Sequence, residues 1–327
     1  MRRSVRRQLL IALGAVCAAP RLGIAQPTNR QPVVGILGPA APSKFWPDGF
    51  AALLQKSGLE QGRDFVLDAR WTGGDDARLP KLAAELVASG VSVIVAAGNF
   101  AIEAARRATQ TLPIVMLFAG LPVENGYIRT LAKPGGNVTG VTWDPPEIAG
   151  KKLELIRDLV PGSKRIALLW QPDFPGMRIY GAYADRAAAV YGITLEHFDV
   201  TRAGDFARAL AGITAYRPDA LYVVPTGEIA QRQDEVAAFA RQRRLVSFGT
   251  SPTWIASGGI LYYGPDSSEL LERGASYVHR LLRGAKAADL PVEQPRTYRL
   301  VVNAKAAREI GHSIPQSIIL RADHVIE

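Results

Sequence analysis

The feature that most constrains the fold is a repeated order of helical and apolar segments. Short apolar runs alternate with helical patterns, which indicates βαβ units on a parallel sheet. The order occurs twice, about 130 residues apart, with breaks rich in Gly, Asn, Pro and Thr between strand and helix. The first copy comprises helix 76–86, strand 91–97, helix 101–110 and strand 112–118; the second comprises a helix from 205, strand 219–224, helix 229–243 and strand 245–248. Two copies predict two similar lobes with a ligand-binding cleft between them.

We therefore predict an α/β fold of two lobes, each a parallel sheet with helices on both faces, joined by a hinge of three strands. At 327 residues the chain is long enough for two domains with ample core. The hinge is expected near 161–164, 260–264 and 291–296. This assigns residues 31–163 plus 262–291 to lobe 1 and residues 164–261 plus 292–327 to lobe 2.

Residues 1–25 have the pattern of an export signal. Four arginines within residues 2–7 precede an apolar run over 9–19, and Gly23-Ile24-Ala25 offers small residues for cleavage after Ala25. Arg6-Arg7 also fits a twin-arginine signal, so both the general secretory and the twin-arginine routes stay open. The predicted location is the periplasm.

Removal of this segment changes what the composition implies. The net charge falls from +9 to +4, because residues 1–25 contain five arginines and no acid. The remaining basic residues are scattered among acids, which disfavours nucleic-acid binding. The one cysteine, Cys17, lies inside the segment, so we expect neither disulfides nor thiol chemistry after it.

Catalytic and metal-binding motifs are absent from the sequence. The four histidines are far apart and have no metal-ligand spacing, and no nucleophile elbow, Walker loop or dinucleotide fingerprint occurs. We therefore predict no enzymatic activity, no metal and no cofactor. If the chain were a two-domain α/β enzyme, Glu228 and Asp173 would be the candidates for its titratable group.

The loops after the predicted strands carry the candidate binding residues, because ligands of parallel α/β folds bind beyond the carboxyl ends of the strands. Small residues there allow a ligand to approach the backbone, helix N-termini attract a carboxylate, and aromatic rings can hold a flat ligand. The same residues also suit helix caps and core packing. The candidates are Ala40, Ala41, Gly98, Asn99, Phe100, Phe118, Gly120, Leu121, Trp143, Gln171, Asp173, Phe174, Thr226, Glu228, Gly249 and Thr250.

Several segments of the sequence, taken in order, resemble segments of one known protein family. The sequence resembles the substrate-binding proteins of ABC transporters, in the group that includes tryptophan-binding lipoproteins, over nearly its whole length. The resemblance implies a type I-like periplasmic binding protein fold that closes on a ligand and delivers it to a membrane permease. The segments that carry it are 59–64, 79–86, 134–140, 150–155, 290–295 and 314–323.

The departures from this family fall in the predicted ligand loops. Relatives often have Thr-Pro or Ser-Pro in place of Asn99-Phe100, an acid near Leu121 and Asn in place of Gln171. Loss of an acid that could hold an ammonium group favours an aromatic carboxylate over an α-amino acid as the ligand.

Three functions remain in view at this point. The first is an exported, monomeric solute-binding protein that captures an amino acid-like or aromatic carboxylate ligand and delivers it to the membrane subunits of an ABC permease. The second is a periplasmic sensor module that serves a membrane receptor, and the third is a two-domain enzyme.

Overall fold

The computed structural model describes residues 31–39, 48–202 and 204–327, and residues 32–327 form one compact unit. Its first sheet has five strands, all parallel, in the order β2-β1-β3-β4-β5. The strands are β1 (Val33–Gly38), β2 (Val66–Trp71), β3 (Val93–Ala97), β4 (Ile114–Ala119) and β5 (Val138–Thr142).

Helices cover both faces of this sheet, which explains why its central strands are continuous apolar runs. Alternate residues of one strand enter different cores: Ile36 packs with one pair of helices and Leu37 with the other pair. The first pair is α1 (Asp48–Lys56) and α10 (Ser267–Leu282); the second is α2 (Leu79–Ala88), preceded by a short 3₁₀ turn, and α3 (Asn99–Ala108).

The second sheet has seven strands in the order β12-β11-β10-β9-β8-β6-β7. They are β6 (Arg165–Trp170), β7 (Thr194–Asp199), β8 (Ala220–Val223), β9 (Val246–Gly249), β10 (Leu261–Pro265), β11 (Tyr298–Asn303) and β12 (His324–Ile326). Every neighbouring pair is parallel except β10 with β11, which run antiparallel. The prediction of a parallel sheet therefore fails at this one pair.

Helices again cover both faces of the second sheet. One core contains α4 (Ile148–Leu159), α5 (Met177–Val190), α11 (Ala304–Glu309) and α12 (Gln316–Ile319). The opposite core contains α6 (Asp205–Tyr216), α7 (Gly227–Gln231), α8 (Gln233–Gln242) and α9 (Thr253–Ala256). The repeated helix–strand–helix–strand order thus produces two sheets of the same construction, as predicted.

The lobe boundaries differ from the predicted ones at two places. Helix α4 was assigned to lobe 1, but Leu153, Ile156 and Leu159 pack in one core with β6, so the chain leaves the first sheet after β5. Strand β10 also belongs to the second sheet, since it pairs with β9 and β11. Helix α10 returns to the first lobe, as predicted, because its apolar face packs on β3, β4 and α1. In the described part of the chain, the two sheets are connected after β5, after β10 and before β11.

Candidate functional site: the cleft between the lobes

The carboxyl ends of both sheets face a common cleft that contains a cavity of about 320 Å³, open on part of its surface. This volume lies within the roughly 300–1,000 Å³ typical of small-molecule sites. We call it the first cavity. It is lined by Asn99, Phe118, Gly120, Leu121, Trp143, Asp144, Lys152, Phe174, Met177, Tyr180, Val224, Pro225, Thr226, Thr250, Ser251, Pro252 and Ser267.

An aromatic wall is built where β4 and β5 end. The register of this strand pair shifts between Met116 and Ala119, and Phe118 between them adopts a left-handed conformation with φ of 56°. Such irregularities redirect side chains near functional sites. Here the ring of Phe118 meets that of Trp143 edge to face, with centroids 5.6 Å apart. The two rings give the cavity an apolar side suited to a flat ligand.

Asn99 holds the two lobes together across the cleft. Its amide nitrogen donates to the carbonyl of Gly120 at 3.0 Å and to the carbonyl of Pro175, in the second lobe, at 2.7 Å. Its amide oxygen accepts from the backbone N–H of Gly120 at 2.9 Å. The side chain is therefore fully engaged with protein groups, although it borders the cavity.

Two further contacts cross the cleft. The rings of Phe100 and Phe174 meet edge to face with centroids 4.6 Å apart, and Gln231 donates to the carbonyl of Gly74 at 2.7 Å. The lobes are thus in contact, as in a closed conformation.

A second cavity of about 530 Å³ adjoins the first and shares Phe174, Pro225 and Thr226 with it. Phe100 and Gly98 line the second cavity but not the first.

A buried ion pair forms one wall of the first cavity. Lys152, on α4, donates to Oδ2 of Asp144 and, at 3.1 Å, to the hydroxyl of Tyr180, which also hydrogen-bonds to the hydroxyl of Tyr222. Lys152 is 1% exposed and Asp144 is 7% exposed. Burial raises the pKa of Asp144, and the adjacent Lys152 ammonium opposes that rise. The Asp144 carboxylate in turn raises the pKa of Lys152, so the pair is an ammonium with a carboxylate and carries no net charge.

Two buried polar atoms beside the first cavity have no hydrogen-bond partner among the described residues. They are Oδ1 of Asp144 and the hydroxyl oxygen of Thr226. A buried polar group without a partner costs about 1–3 kcal/mol, so such atoms are the ones a ligand can satisfy.

The predicted candidates divide into four groups. Those that line the first cavity are Asn99, Phe118, Gly120, Leu121, Trp143, Phe174, Thr226 and Thr250. Gly98 and Phe100 line the second cavity alone, while Ala40 and Ala41 lie outside the described residues. Gln171, Asp173, Glu228 and Gly249 line neither cavity.

Three of the residues outside the cavities have other surroundings. Gly249 packs on a buried indole, since a Cβ there would lie 2.3 Å from Cγ of Trp254. Glu228 forms an ion pair with Arg232 at 2.8 Å, and Asp173 is exposed. No cavity geometry supports the suggested catalytic roles of Glu228 and Asp173.

The sequence analysis did not predict the ion pair of Lys152 with Asp144, although the sequence contains a pattern that indicates it. Lys152 falls on the apolar face of α4, at helical spacing with Ala149, Ile156 and Leu159, all of which are buried. A buried lysine on such a face needs an acidic partner, and Asp144, just before the start of α4, is close enough in the chain to be that partner.

Other kinds of site find no support in the described residues. Within residues 31–39, 48–202 and 204–327, no three His, Cys, Asp or Glu side chains come together as a metal site. No helix among these same residues has both the length and the apolar character needed to cross a membrane.

The sequence model of one family, described as ABC transporter substrate binding protein, matches residues 37–326. The chain belongs to this family. The match extends through both sheets and all the loops that border the cleft.

Three of the known proteins that are similar to the chain are described with an aromatic ligand. A tyrosine-binding protein of Clostridioides difficile is 24% identical over 255 residues, covering 78% of this chain and 73% of that protein. The structure of an ABC domain from Streptococcus pneumoniae in complex with L-Trp is 27% identical, with a TM-score of 0.84 over 91% of this chain and 100% of that one. A solute binding protein of an ABC transporter from Rhodopseudomonas palustris, in complex with benzoate, shares the fold at a TM-score of 0.52 and 14% identity, covering 76% of this chain and 75% of that one.

Proposed function

We propose that the protein is an exported solute-binding protein that captures a small aromatic ligand, amino acid-like or a carboxylate, in the first cavity and delivers it to an ABC permease. The observation that carries this proposal is the cleft cavity of about 320 Å³, which has an aromatic wall and is bordered by buried polar atoms that have no partner among the described residues. Tyrosine, tryptophan and benzoate in the similar proteins support the same ligand class.

The chemistry of the lining favours a flat ligand with a polar end. Phe118 and Trp143 offer ring faces and edges, and aromatic pairs contribute roughly 0.5–1.5 kcal/mol beyond the apolar area they bury. The hydroxyls of Thr226, Ser251 and Ser267 supply donors at the polar side. Among the described residues, the one cation in the lining is Lys152, and it is engaged by Asp144, so neutral donors would hold a ligand carboxylate.

Closure of the lobes would couple binding to recognition by the permease. The contacts of Asn99, Phe100 and Gln231 across the cleft stabilise the closed arrangement, and a ligand that touches both lobes would shift the equilibrium further toward it. The permease would then distinguish the loaded from the empty protein by the relative position of the lobes.

Export follows from the signal-like pattern of residues 1–25, and we propose a periplasmic monomer that acts without cofactor, metal or covalent chemistry. Expression in a Gram-negative host, followed by N-terminal sequencing of the periplasmic fraction, should find Gln26 as the first residue. Protein that stays in the cytoplasm with its N-terminus intact would contradict the export proposal.

Thermal unfolding with a ligand panel tests the binding proposal. The panel contains L-tyrosine, L-tryptophan, L-phenylalanine, benzoate and phenylacetate, with L-leucine and L-glutamate as non-aromatic controls. A true ligand at about 100 times its dissociation constant adds roughly 2.7 kcal/mol of stability. We expect an aromatic member to raise the melting temperature and the controls to leave it unchanged. A folded protein stabilised only by the controls, or by no compound, would contradict the proposed ligand class.

A further inference from the structure

We propose that Oδ1 of Asp144 accepts a hydrogen bond from a neutral ring donor of the ligand, an aromatic N–H or O–H, and so selects donor-bearing rings over rings without a donor. The inference rests on the proposed function, since it assigns a specificity residue to the same cavity.

The state of the carboxylate is the first reason. Asp144 is 7% exposed, its Oδ2 accepts from Lys152, and its Oδ1 is buried without a partner. A carboxylate oxygen withdrawn from water in this way leaves a desolvation cost that a ligand donor would offset.

Its position is the second reason. Asp144 lines the first cavity and directly follows Trp143, whose ring forms the aromatic wall with Phe118. A flat ligand against this wall therefore lies in the same cavity as Asp144, and we propose that an indole N–H or a phenol O–H on its ring edge is the donor to the carboxylate.

The charge of the surroundings is the third reason, and it limits the donor to a neutral one. The Lys152 ammonium sits on the same carboxylate, so a ligand ammonium there would meet a like charge. The hydroxyls of Tyr180 and Tyr222 are already bonded to each other, and Tyr180 also accepts from Lys152. These contacts leave Oδ1 of Asp144 as the oxygen of this cluster that accepts from no donor among the described residues.

Matched pairs of ring isosteres test the inference by isothermal titration of the full-length protein. The first pair is indole-3-acetate against benzothiophene-3-acetate, and the second is 4-hydroxyphenylacetate against 4-fluorophenylacetate; each is repeated as the corresponding L-amino acid. A hydrogen bond to a charged acceptor predicts that the donor-bearing member binds about tenfold or more tightly in at least one pair. Equal affinities within every pair would overturn the inference.

A double variant assigns the preference to the carboxylate. Asp144→Leu with Lys152→Met removes both charges together, so no unpaired charge remains and folding is preserved. We expect this variant to bind the two members of a pair within about twofold of each other. The control Tyr180→Phe disturbs the same cluster but keeps Oδ1, and it should retain the wild-type preference. A preference that survives in the double variant, or that disappears in the control, would overturn the inference.

The outcome also separates this inference from the proposed function. Aromatic compounds that bind with no preference for a ring donor would leave the binding function intact and overturn only the role of Asp144. Failure of every compound in both pairs to bind would overturn both.

Discussion

Removal of Lys152 should destabilise the protein far more than removal of the whole ion pair. In Lys152→Met the side chain keeps most of its length, so packing changes little, but the Asp144 carboxylate is left buried with neither oxygen paired by a cation. Breaking a buried pair in this way costs about 3–5 kcal/mol, whereas replacing both partners by apolar residues is often neutral or stabilising. We therefore expect Asp144→Leu with Lys152→Met to recover most of the stability that Lys152→Met loses.

The loss in the single variant should also depend on pH. Without Lys152, burial is the largest influence on the pKa of Asp144 and raises it above the unfolded value, so folding favours the protonated acid. A group with a raised folded-state pKa contributes stability that is lost as the pH rises above its unfolded pKa, so the deficit of Lys152→Met should grow as the pH rises above about 4.

Urea unfolding of the three proteins, followed by far-ultraviolet circular dichroism at pH 5, 6.5 and 8, measures both effects. A single variant within about 1 kcal/mol of wild type, or a double variant as unstable as the single one, would refute the reasoning.

Three further predictions concern other parts of the fold. Asn99→Ala removes a hydrogen bond across the cleft and leaves the half-buried N–H of Gly120 without its acceptor, so small-angle scattering of the ligand-free protein should report a larger radius of gyration. Asn125→Ala removes a hydrogen bond within the first lobe and should leave the radius unchanged. Equal radii for the two variants would contradict this. Four hydrogen bonds hold the pKa of the Asp205 carboxylate at about 2, so the stability it contributes is present above about pH 4 and lost toward pH 2. In acid titrations, the difference in unfolding free energy between wild type and Asp205→Asn should therefore disappear over that range. A difference that stays constant would contradict this prediction. Gly140→Ala places a Cβ 2.3 Å from the carbonyl oxygen of Met116, at a residue whose φ is 132°, so the melting temperature of this variant should fall sharply. In the control Gly136→Ala, the new Cβ meets nothing within 4 Å, and the melting temperature should stay near that of wild type. Similar melting temperatures for the two variants would contradict the steric argument.

The order of strands and helices was predictable because both sheets are built from buried parallel strands separated by amphipathic helices. These elements have distinct hydrophobic periods, and short apolar runs bounded by glycine and proline are readily recognised. The four strands of the predicted repeat accordingly begin and end within two residues of their predicted bounds. The antiparallel pairing of β11 with β10 has no such local pattern, since it depends on where the chain returns after α10.

The position of α4 could not be read from its own residues. Its apolar face would suit either sheet, and the packing on β6 is decided by the loop that follows β5. A period of 3.6 tells which face of a helix is buried but not which sheet it is buried against.

The sequence indicated which residues would lie at the cleft better than it indicated what each of their side chains does there. Loops after the strands do border the cleft, which is why Phe118, Trp143 and Thr226 line the first cavity. Asn99 has the hydrogen-bonding capacity expected of a ligand contact, yet that capacity is used by Gly120 and Pro175, which only the folded structure brings together.

A crystal structure of the complex with the panel compound that stabilises the protein most would test the central claim directly. The account predicts electron density for the compound in the first cavity, with its ring against Phe118 and Trp143 and both lobes in contact with it. Density elsewhere on the protein, or an empty cavity in crystals grown at saturating compound, would contradict the account.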